Sequence, residues 1–480
     1  MFVLLSLLFN SMLNHGVAPL TMLYSTVIPI PKDKRKSLNN SENYRGITLS
    51  SVLCKILDRI IMETQILKTS DYQFGYKKNA STTQCTFVVD ECINYYVTND
   101  SSVYCVLLDA SKAFDRVHFV KLFNKLMKCG ICPTICRLLA FMYTNQACCV
   151  KWDNVKSDTF SVHNGVKQGG VLSPILFSIY FDTLLHDLST CGHGCYIGNN
   201  FMGAFAYADD LVLLSPNLSG LRNMIKVCEQ FSLDYDIVFN PSKSKMLLFN
   251  TENDFVPLKM KGEVIPISNG EKHLGNYIGQ DCATIRIEKV IQELYISTNK
   301  LSYNFKYVEL DTLYYLFRSY CTSFYGSVLL DYDSTLIERL FVAWRKCVRF
   351  LLNLPHRTHN ILIHQIVHDI PISEQIFKRF ITFINSCING NSVCNLAVKL
   401  ALHGSNSVIC RNINFICEKY SLDKWHLEQA SLNNCIYDGD ESDDAKACSI
   451  REFLSFRNSV PFNSEDYVNL STIISDLCEQ

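Results

Sequence analysis

Two adjacent carboxylates, Asp209 and Asp210, lie between two apolar runs of the chain, Ala204–Ala206 and Leu211–Leu214. These runs predict the arms of a short β-hairpin with the two aspartates at its turn. Two such charges side by side in an apolar frame repel each other and are poorly solvated. Their ionised forms therefore need a cation nearby.

A third carboxylate follows the continuously apolar run Val103–Leu108, which predicts a buried strand ending at Asp109. Carboxylates at strand ends and at a hairpin turn are the ligands that a pair of Mg²⁺ ions needs for phosphoryl transfer. We expect Asp109 and Asp209 to bridge both ions, Asp210 to complete the shell and the Ala110 carbonyl to add a ligand, with Mn²⁺ able to substitute. An isolated Asp-Asp pair is common in surface turns, so this prediction depends on its neighbouring motifs.

The remaining chain must supply the elements that hold these carboxylates. It has 480 residues, of which 48% are hydrophobic and 19% charged, enough for a large core and more than one folded unit. Residues 101–250 alternate strand and helix patterns, which predicts an α+β core, and from about residue 280 the pattern is helical. The predicted helices and extended segments include residues 4–14, Val27–Pro31, Ser51–Gln65, Ser173–Leu188, Leu218–Asp234 and Lys245–Phe249.

Two apolar stripes at helical spacing mark the region after residue 280. They are Leu313, Leu316, Phe317 and Tyr320, and Leu340, Trp344, Val348 and Leu351. Ordinary core packing explains both stripes. The polar and acidic segment Asn433–Ser442 predicts a loop.

The net charge of -1 argues against a protein that coats duplex nucleic acid through a general basic excess. A nucleic-acid partner would have to be held by local basic stripes, of which Lys32–Lys36 is one and Arg345, Lys346 and Arg349 form another. Each stripe has an alternative interpretation as a solvated face. The second stripe could follow a nucleic-acid backbone through its phosphates.

The 22 cysteines show no regular spacing of a secreted disulfide scaffold. Cys129 with Cys132, and Cys191 with His193 and Cys195, suggest zinc only weakly because no second ligand pair follows at the spacing of a finger. We find no convincing signal peptide and no apolar run of membrane-spanning length. We therefore expect an intracellular protein, in nucleus and cytoplasm, without a membrane partner.

Three segments, in this order, resemble the palm motifs of the reverse transcriptases of non-LTR (LINE-type) retrotransposons. They are Leu107–Val117, Gly165–Pro174 and Tyr207–Asp210. Flanking segments resemble the fingers, lysine and primer-grip motifs of the same family: Ile28–Lys32, Asn43–Leu49, Gln73–Tyr76, Ser81–Thr83, Asn240–Lys245 and His273–Gly275. Many relatives read Pro-Gln-Gly-Ser in the second palm motif, where this chain has Lys167 and Gly170.

The resemblance implies a right-hand polymerase fold, with fingers, palm and thumb followed by a mostly helical C-terminal region. It predicts fingers over residues 1–100, N-terminally incomplete, and a palm with the catalytic motifs over 101–280. A helical thumb-like region would follow over 281–365, and residues 366–480 would form a helical region of unknown role. Because full-length members usually carry an endonuclease upstream, we expect a truncated element product or a gene-model fragment that retains the polymerase core.

The resemblance also implies roles for single residues. The implied nucleotide-binding residues are Ala110, Phe114, Gln168, Gly169, Arg45 and Lys32. The Phe114 ring would exclude a 2′-hydroxyl, with plain core packing as the alternative. Lys243 would protonate the leaving pyrophosphate or hold its charge, with Lys245 as the rival.

These inferences lead to an RNA-directed DNA polymerase that uses an RNA template, a DNA primer or target, dNTPs and two Mg²⁺ ions. Its endonuclease would be separate or lost. One alternative is an inactive or co-opted nucleic-acid-binding remnant of such an element. Another is an intron maturase-type reverse transcriptase, against which the near-neutral tail argues.

Overall fold

The computed structural model describes residues 2–65, 67–251, 257–280, 282–402 and 406–420. The α-helices are α1 Phe2–His15, α2 Leu20–Leu23, α3 Val52–Thr64, α4 Thr82–Thr98, α5 Phe119–Lys128, α6 Pro133–Thr144, α7 Ser173–Thr190, α8 Leu218–Tyr235, α9 Cys282–Asn304, α10 Leu310–Tyr320, α11 Thr335–Leu351, α12 Asn360–Ile366, α13 Ile372–Ile388, α14 Ser392–Leu402 and α15 Val408–Tyr420. The strands are β1 Tyr24–Pro31, β2 Tyr44–Leu49, β3 Val103–Ser111, β4 Ala147–Trp152, β5 Val155–Lys156, β6 Phe160–Ser161, β7 Tyr196–Ile197, β8 Asn200–Phe201, β9 Ala204–Tyr207, β10 Asp210–Ser215, β11 Val238–Phe249, β12 Lys259–Met260, β13 Glu263–Val264, β14 Gly270–His273 and β15 Asn276–Gly279.

The chain divides into two compact units. The first comprises residues 1–81 and 102–268, and the second comprises residues 82–101 and the chain from Asn269 onward. Helix α4 thus belongs to the second unit although the chain around it belongs to the first. The predicted boundaries of fingers, palm and thumb stay predictions.

A four-stranded antiparallel sheet in the order β11-β3-β10-β9 lies at the centre of the first unit. Side chains alternate between the faces of a strand, and Val106 and Leu108 of β3 share one core with Leu211 and Leu213 of β10. The same core contains much of α7 and α8, including fully buried Phe177. Burial of each large apolar side chain contributes about 1.5–3 kcal/mol, so this layer fixes the sheet against the two helices.

The local sequence explains where these helices begin. Helix α7 has a proline in its first turn, where no backbone N–H bond is lost. At the start of α8 the Asn217 side chain accepts a hydrogen bond from Gly220 N, which satisfies a free N–H of the first turn. Both helices start at the predicted residues, and each ends one or two residues later than predicted.

A second sheet in the first unit has the order β2-β1-β4-β5, with β6 also paired to β4. Strand β1 runs antiparallel to β2 and parallel to β4. The predicted extended segment Val27–Pro31 lies within β1. Strand β2 was not predicted, because its residues Tyr44–Leu49 include Arg45 and Gly46 and lack a clean alternation of polar and apolar side chains.

The second unit is mostly helical among its described residues. Leu340, Trp344, Val348 and Leu351 of α11 are all buried, which confirms the second apolar stripe. The first stripe is wrong at Tyr320, which is 72% exposed, while Tyr314 is buried in its place on α10. The predicted loop at 433–442 lies outside the described residues.

The hairpin of β14 and β15 is held tightly within the second unit. The Tyr325 hydroxyl donates to Leu274 O at 2.6 Å, and Lys289 Nζ donates to Gly275 O. Gly275 has a φ of +85°, and a Cβ there would press on the Tyr325 ring. Burial without a charged partner lowers the pKa of His273, beside the turn, to about 4.

Helix α4 and the late helices were the least predictable elements. Helix α4 carries buried residues on most of its surface, so its apolar pattern has no clear helical period.

No helix in the described ranges is both long and apolar enough to span a bilayer.

Candidate active site

The aspartate hairpin forms as the two apolar runs predict. Strand β9 pairs antiparallel with β10, and Asp210 lies opposite Tyr207. Ala208 and Asp209 form the two-residue connection, in which Ala208 has a left-handed φ of +57°. This tight turn presents the two carboxylates at the end of the central sheet.

Strand β3 runs two residues beyond Asp109 and ends at Ser111. Leu108 lies opposite Leu211, so continuing the antiparallel register by one pair sets Asp109 beside Asp210. Side chains of residues directly opposite one another have Cβ atoms about 4.5–5.5 Å apart. The central sheet therefore brings the third carboxylate to the hairpin turn.

The backbone of Asp109 is fixed from its other neighbour, β11. A bulge between Asn240 and Lys245 turns Ser244 inward, where it is 1% exposed. The Ser244 hydroxyl accepts a hydrogen bond from Asp109 N at 3.1 Å and donates to Asn240 O at 2.7 Å. Sequence reasoning missed Ser244, although it lies within the segment that resembles the lysine motif.

Burial and neighbouring charge raise the pKa values of Asp209 and Asp210. Burial raises the pKa of Asp210 to about 6, and repulsion from Asp209 and Asp109 adds to the rise. Burial also raises the pKa of Asp209, and Asp109 adds to this, while a backbone hydrogen bond and Arg45 oppose it. These carboxylates lack sufficient positive charge to stabilise their ionised forms.

A divalent cation fits this set of donors, because it would remove the mutual repulsion and bind through oxygen, its preferred ligand. Within the described part of the chain, no three acidic, histidine or cysteine side chains already surround one point in ligand geometry. The sheet register sets Asp109 beside Asp210, and Asp209 adjoins Asp210 in the turn.

Two of the predicted cations lie near the carboxylates. Lys243 Nζ is 4.0 Å from Asp109 Oδ2, while Lys245 continues the β11 ladder opposite Leu107. The Arg45 charge acts on Asp209. Lys243 thus lies beside Asp109, and the role of either lysine stays a prediction.

Lys32 is engaged elsewhere. Its Nζ donates to Glu42 O at 3.0 Å, and the Glu42 carboxylate pairs with Lys112 at 2.7 Å. The Lys112 hydrogen bond and charge lower the pKa of Glu42, and the charges of Lys32 and Lys243 contribute. Glu42 was not among the predicted residues, and it joins Lys32 and Lys243 in one exposed polar group.

Phe114 is half-buried in a stack of aromatic rings. Its ring lies parallel to that of Phe177, with centroids 4.4 Å apart, and meets the Tyr76 ring edge-on at 6.3 Å. Such contacts fix ring orientation and contribute about 0.5–1.5 kcal/mol each beyond burial. Phe114 is therefore rigid and retains an exposed part of its surface.

The loop before α7 packs against β2 and against the turn that carries Phe114. Thr48 N donates to Gln168 O at 2.6 Å, and the Gln168 side chain donates to Asp115 Oδ1 at 3.0 Å. Gly169 has a φ of +102°, and a Cβ there would be 3.2 Å from Thr48 O. The structure thus joins Gln168 and Gly169 to the elements that hold Arg45 and Phe114.

The cysteine clusters show other contacts. Cys129 and Cys132 are exposed free thiols. His193 Nε2 lies 3.1 Å from Asn223 Nδ2, and Cys191 donates to Leu188 O. The His359 side chain caps α12 by accepting a hydrogen bond from Ile361 N.

Comparison with known proteins gives the context for this geometry. A sequence model described as "Reverse transcriptase (RNA-dependent DNA polymerase)" matches residues 30–285, more than half of the chain. The Pol polyprotein of the R2 retrotransposable element of Popillia japonica is 31% identical over 208 residues, which cover 42% of this chain and 29% of that protein. The polymerase of the mobile element jockey of Drosophila funebris is 24% identical over 286 residues, covering 56% and 30%.

The chain thus spans less than a third of the length of these two relatives. Among solved structures, an apo telomerase of Candida tropicalis is similar with a TM-score of 0.40 and 12% identity, over 86% of this chain and 68% of that one.

The matched residues 30–285 contain all three segments that resemble palm motifs, together with the carboxylates that the central sheet brings together. The expected α+β polymerase fold with a helical C-terminal region is confirmed. This chain belongs to the reverse transcriptase (RNA-dependent DNA polymerase) family, and its relatives are polymerases of non-LTR retrotransposons, as its motifs predict.

Proposed function

We propose that this chain catalyses RNA-directed DNA synthesis, adding nucleotides from dNTPs to a primer 3′-hydroxyl on an RNA template. The observation that carries the proposal is the meeting of Asp109 with Asp209 and Asp210 at one end of the central sheet, where burial, and after it the neighbouring carboxylates, raise the pKa values of the latter two. Carboxylates so arranged inside a reverse transcriptase family match support phosphoryl transfer best.

In this proposal Asp109, Asp209 and Asp210, with the Ala110 carbonyl, hold two Mg²⁺ ions, or Mn²⁺ in their place. The bound ions would supply charge neutralisation for the attacking oxygen and the transferred phosphate. The protein holds the carboxylates at fixed positions, because rigid placement lowers the cost of reaching the transition state.

The chain's own side chains then act on the nucleotide. Phe114 would close the space beside the sugar, and Gln168 and Gly169 would form the adjoining surface through backbone and amide groups. Arg45 would contact the triphosphate of the nucleotide, and Lys32 would lie near that triphosphate. Lys243, 4.0 Å from Asp109, would give a proton to the leaving pyrophosphate or hold its charge.

Nucleic-acid partners are proposed from a groove in the second unit. It has a volume of about 730 Å³ and is lined by Val342, Arg345, Lys346, Arg349, Phe350, Asn353, Leu354, His356 and Asn360. The lining holds three full cations and no carboxylate, and the exposed ring of Phe350 offers a surface on which a base can stack. We propose that this groove takes the backbone of template or primer.

We further propose that an endonuclease on a separate domain or chain supplies the primer end, which implies action inside the cell, where its DNA target lies. The alternative of a nucleic-acid-binding remnant differs in one observable respect: it would bind RNA without extending a primer.

Primer extension on an RNA template with dNTPs and Mg²⁺ tests the proposal. We expect extension by the wild type, and loss of at least about 10³-fold in Asp209→Ala, because transition-state charge stabilisation is removed. Asp187→Ala, the same change at an exposed position of α7, is the matched control and should extend normally. RNA binding without extension by the folded wild type would establish the remnant instead.

A further inference from the structure

The segment before α4 lies along the aspartate hairpin in the first unit. Phe74 N donates to Ala206 O at 2.8 Å, and Ala206 N donates to Tyr72 O at 2.9 Å, so Gln73 pairs in parallel with the edge strand β9. Phe74 also meets the Phe205 ring edge-on, with centroids 6.3 Å apart. These contacts fix the segment against strand β9, next to the turn at Ala208 and Asp209.

Gln73 extends this support to the turn itself. Its Oε1 accepts hydrogen bonds from Ala208 N at 2.9 Å and from Gly75 N at 2.8 Å, and its Nε2 donates to Ala208 O at 3.3 Å. Gln73 is 0% exposed. One carboxamide thus bonds both polar backbone groups of the residue that precedes Asp209.

Ala208 needs such support. Its φ of +57° lies in the left-handed region, which costs a residue with a Cβ about 1–2 kcal/mol. Ala208 is itself buried, so its N–H and C=O have lost water. Without Gln73 these two groups would lack the partner that offsets their burial, and each buried unpaired group costs about 1–3 kcal/mol.

The close approach of the two segments supports the same view. A Cβ on Gly75 would overlap the Ala208 nitrogen, so only glycine lets the support come this near to the turn. Gly75 N also shares the Gln73 oxygen, which fixes the orientation of the amide.

We propose that Gln73 is a positioning residue of the metal site, which holds the left-handed turn at Ala208 and so directs the Asp209 carboxylate. The inference rests on the proposed function, because it assigns Gln73 to the metal site that the function requires. Groups that orient metal ligands commonly change metal affinity by about 10- to 100-fold when removed.

The test compares Mn²⁺ binding, measured from the loss of the free-ion paramagnetic resonance signal, in the full chain and its variants. Gln73→Met keeps the length of the side chain and removes its hydrogen bonds, while Gln73→Asn keeps the amide and shortens its reach by one methylene. We expect both to raise the Kd for Mn²⁺ by about 10-fold or more. We also expect the Mg²⁺ concentration for half-maximal extension to rise, with the KM for primer-template unchanged.

Ser70→Ala is the matched control. The Ser70 amide and hydroxyl both bond Asp182 Oδ1, at 3.0 and 2.6 Å, so the change loosens the same segment without touching Ala208. It should lower the melting temperature and leave the Kd for Mn²⁺ unchanged. If Gln73 only stabilised the fold, its variants would likewise lower the melting temperature and leave the Kd for Mn²⁺ unchanged.

Several results would overturn the proposal. One is a folded Gln73→Asn variant whose Kd for Mn²⁺ stays within about twofold of the wild type; if Gln73→Met does not fold, this variant alone decides. Rapid hydrogen exchange at the Ala208 amide of the wild type would be a second, since the hydrogen bond predicts protection. If Asp209→Ala binds Mn²⁺ as well as the wild type does, the metal site itself is wrong. If only Asp209→Ala loses affinity, the function stands and the role of Gln73 falls.

Discussion

At the scale of single residues, the site contains a buried acidic group and a left-handed backbone, each of which costs free energy by itself. Asp210 has a pKa raised to about 6 by burial and by two neighbouring carboxylates, and Ala208 holds a left-handed backbone. Ser244 and Gln73 offset part of this cost through hydrogen bonds to the Asp109 and Ala208 backbones. The proposed catalytic carboxylates depend on these hydrogen bonds for their positions, so a change in either should alter metal binding.

Phe114 gives a second prediction at this scale. Phe114→Ala should open the space beside the sugar and reduce the preference for dNTPs over rNTPs by about 10- to 200-fold, the range for removing an apolar group from a specificity pocket. The measurement is kcat/KM for matched dNTP and rNTP. Phe141→Ala is the control, because Phe141 is also partly buried against the core but lies on α6, which supplies no site residue. Unchanged discrimination in Phe114→Ala would leave core packing as its role.

At the scale of elements, α4 carries a buried acid that the proposed chemistry does not use. Glu91 is 2% exposed, and its Oε2 has no hydrogen-bond partner. The pKa of Glu91 is raised from 4.5 to about 8, chiefly by burial and also by the Asp90 charge, against the opposing effects of a Ser407 hydrogen bond and the Arg411 charge. The folded second unit therefore favours the protonated acid.

This raised pKa predicts a pH dependence of stability. In the unfolded chain the group loses its proton near pH 4.5, and in the folded chain near pH 8, so this group makes stability fall as pH rises between these values. Glu91→Gln, which cannot ionise, should raise the melting temperature at pH 9 by at least about 3 °C and much less at pH 5. Thermal unfolding measures both.

The control for this prediction is Glu418→Gln, the same change at an exposed position of α15, which should not alter the melting temperature at either pH. An equal gain for Glu91→Gln at both pH values would contradict the explanation from ionisation.

At the scale of the whole molecule, a net charge of -1 leaves nucleic-acid binding to local cations. Of the three cations in the groove of the second unit, Arg349 also donates to Thr358 O at 2.8 Å, and Arg345 lies 3.7 Å from Glu338. Lys346 is exposed. Lys346 is therefore the most exposed of the three cations and the one most accessible to a phosphate.

Lys346→Gln should weaken binding of RNA and DNA alike and reduce the slope of log K against log salt by about 1, because one phosphate contact and its counterion are lost. Binding isotherms at salt concentrations from about 50 to about 200 mM provide the measurement, because the affinity changes strongly with salt over this range. Lys128→Gln, at the exposed end of α5, should leave the slope unchanged. An unchanged slope in Lys346→Gln would exclude this groove as a phosphate contact.

Segments with a clear local pattern of apolar residues and caps were predicted well, and segments without one were not. The hairpin around Asp209 and helices α7 and α8 were predicted closely, because their apolar runs and caps are local signals. Helix α4 was missed because its burial on most sides removes the helical period. Tyr320 was placed in the core by spacing alone, but the packing of α10 buries Tyr314 instead.

The sequence by itself determined the family and the identity of its carboxylates, since their motifs are short, ordered and contiguous. It also determined the hairpin that carries Asp209 and Asp210. Only the tertiary structure decided which groups support them: the Ser244 hydroxyl reaches Asp109 across 135 residues of chain, and the Gln73 amide reaches Ala208 across another 135. Such contacts depend on sheet register, a bulge and a left-handed turn. These features arise from packing between distant segments, so no local pattern encodes them.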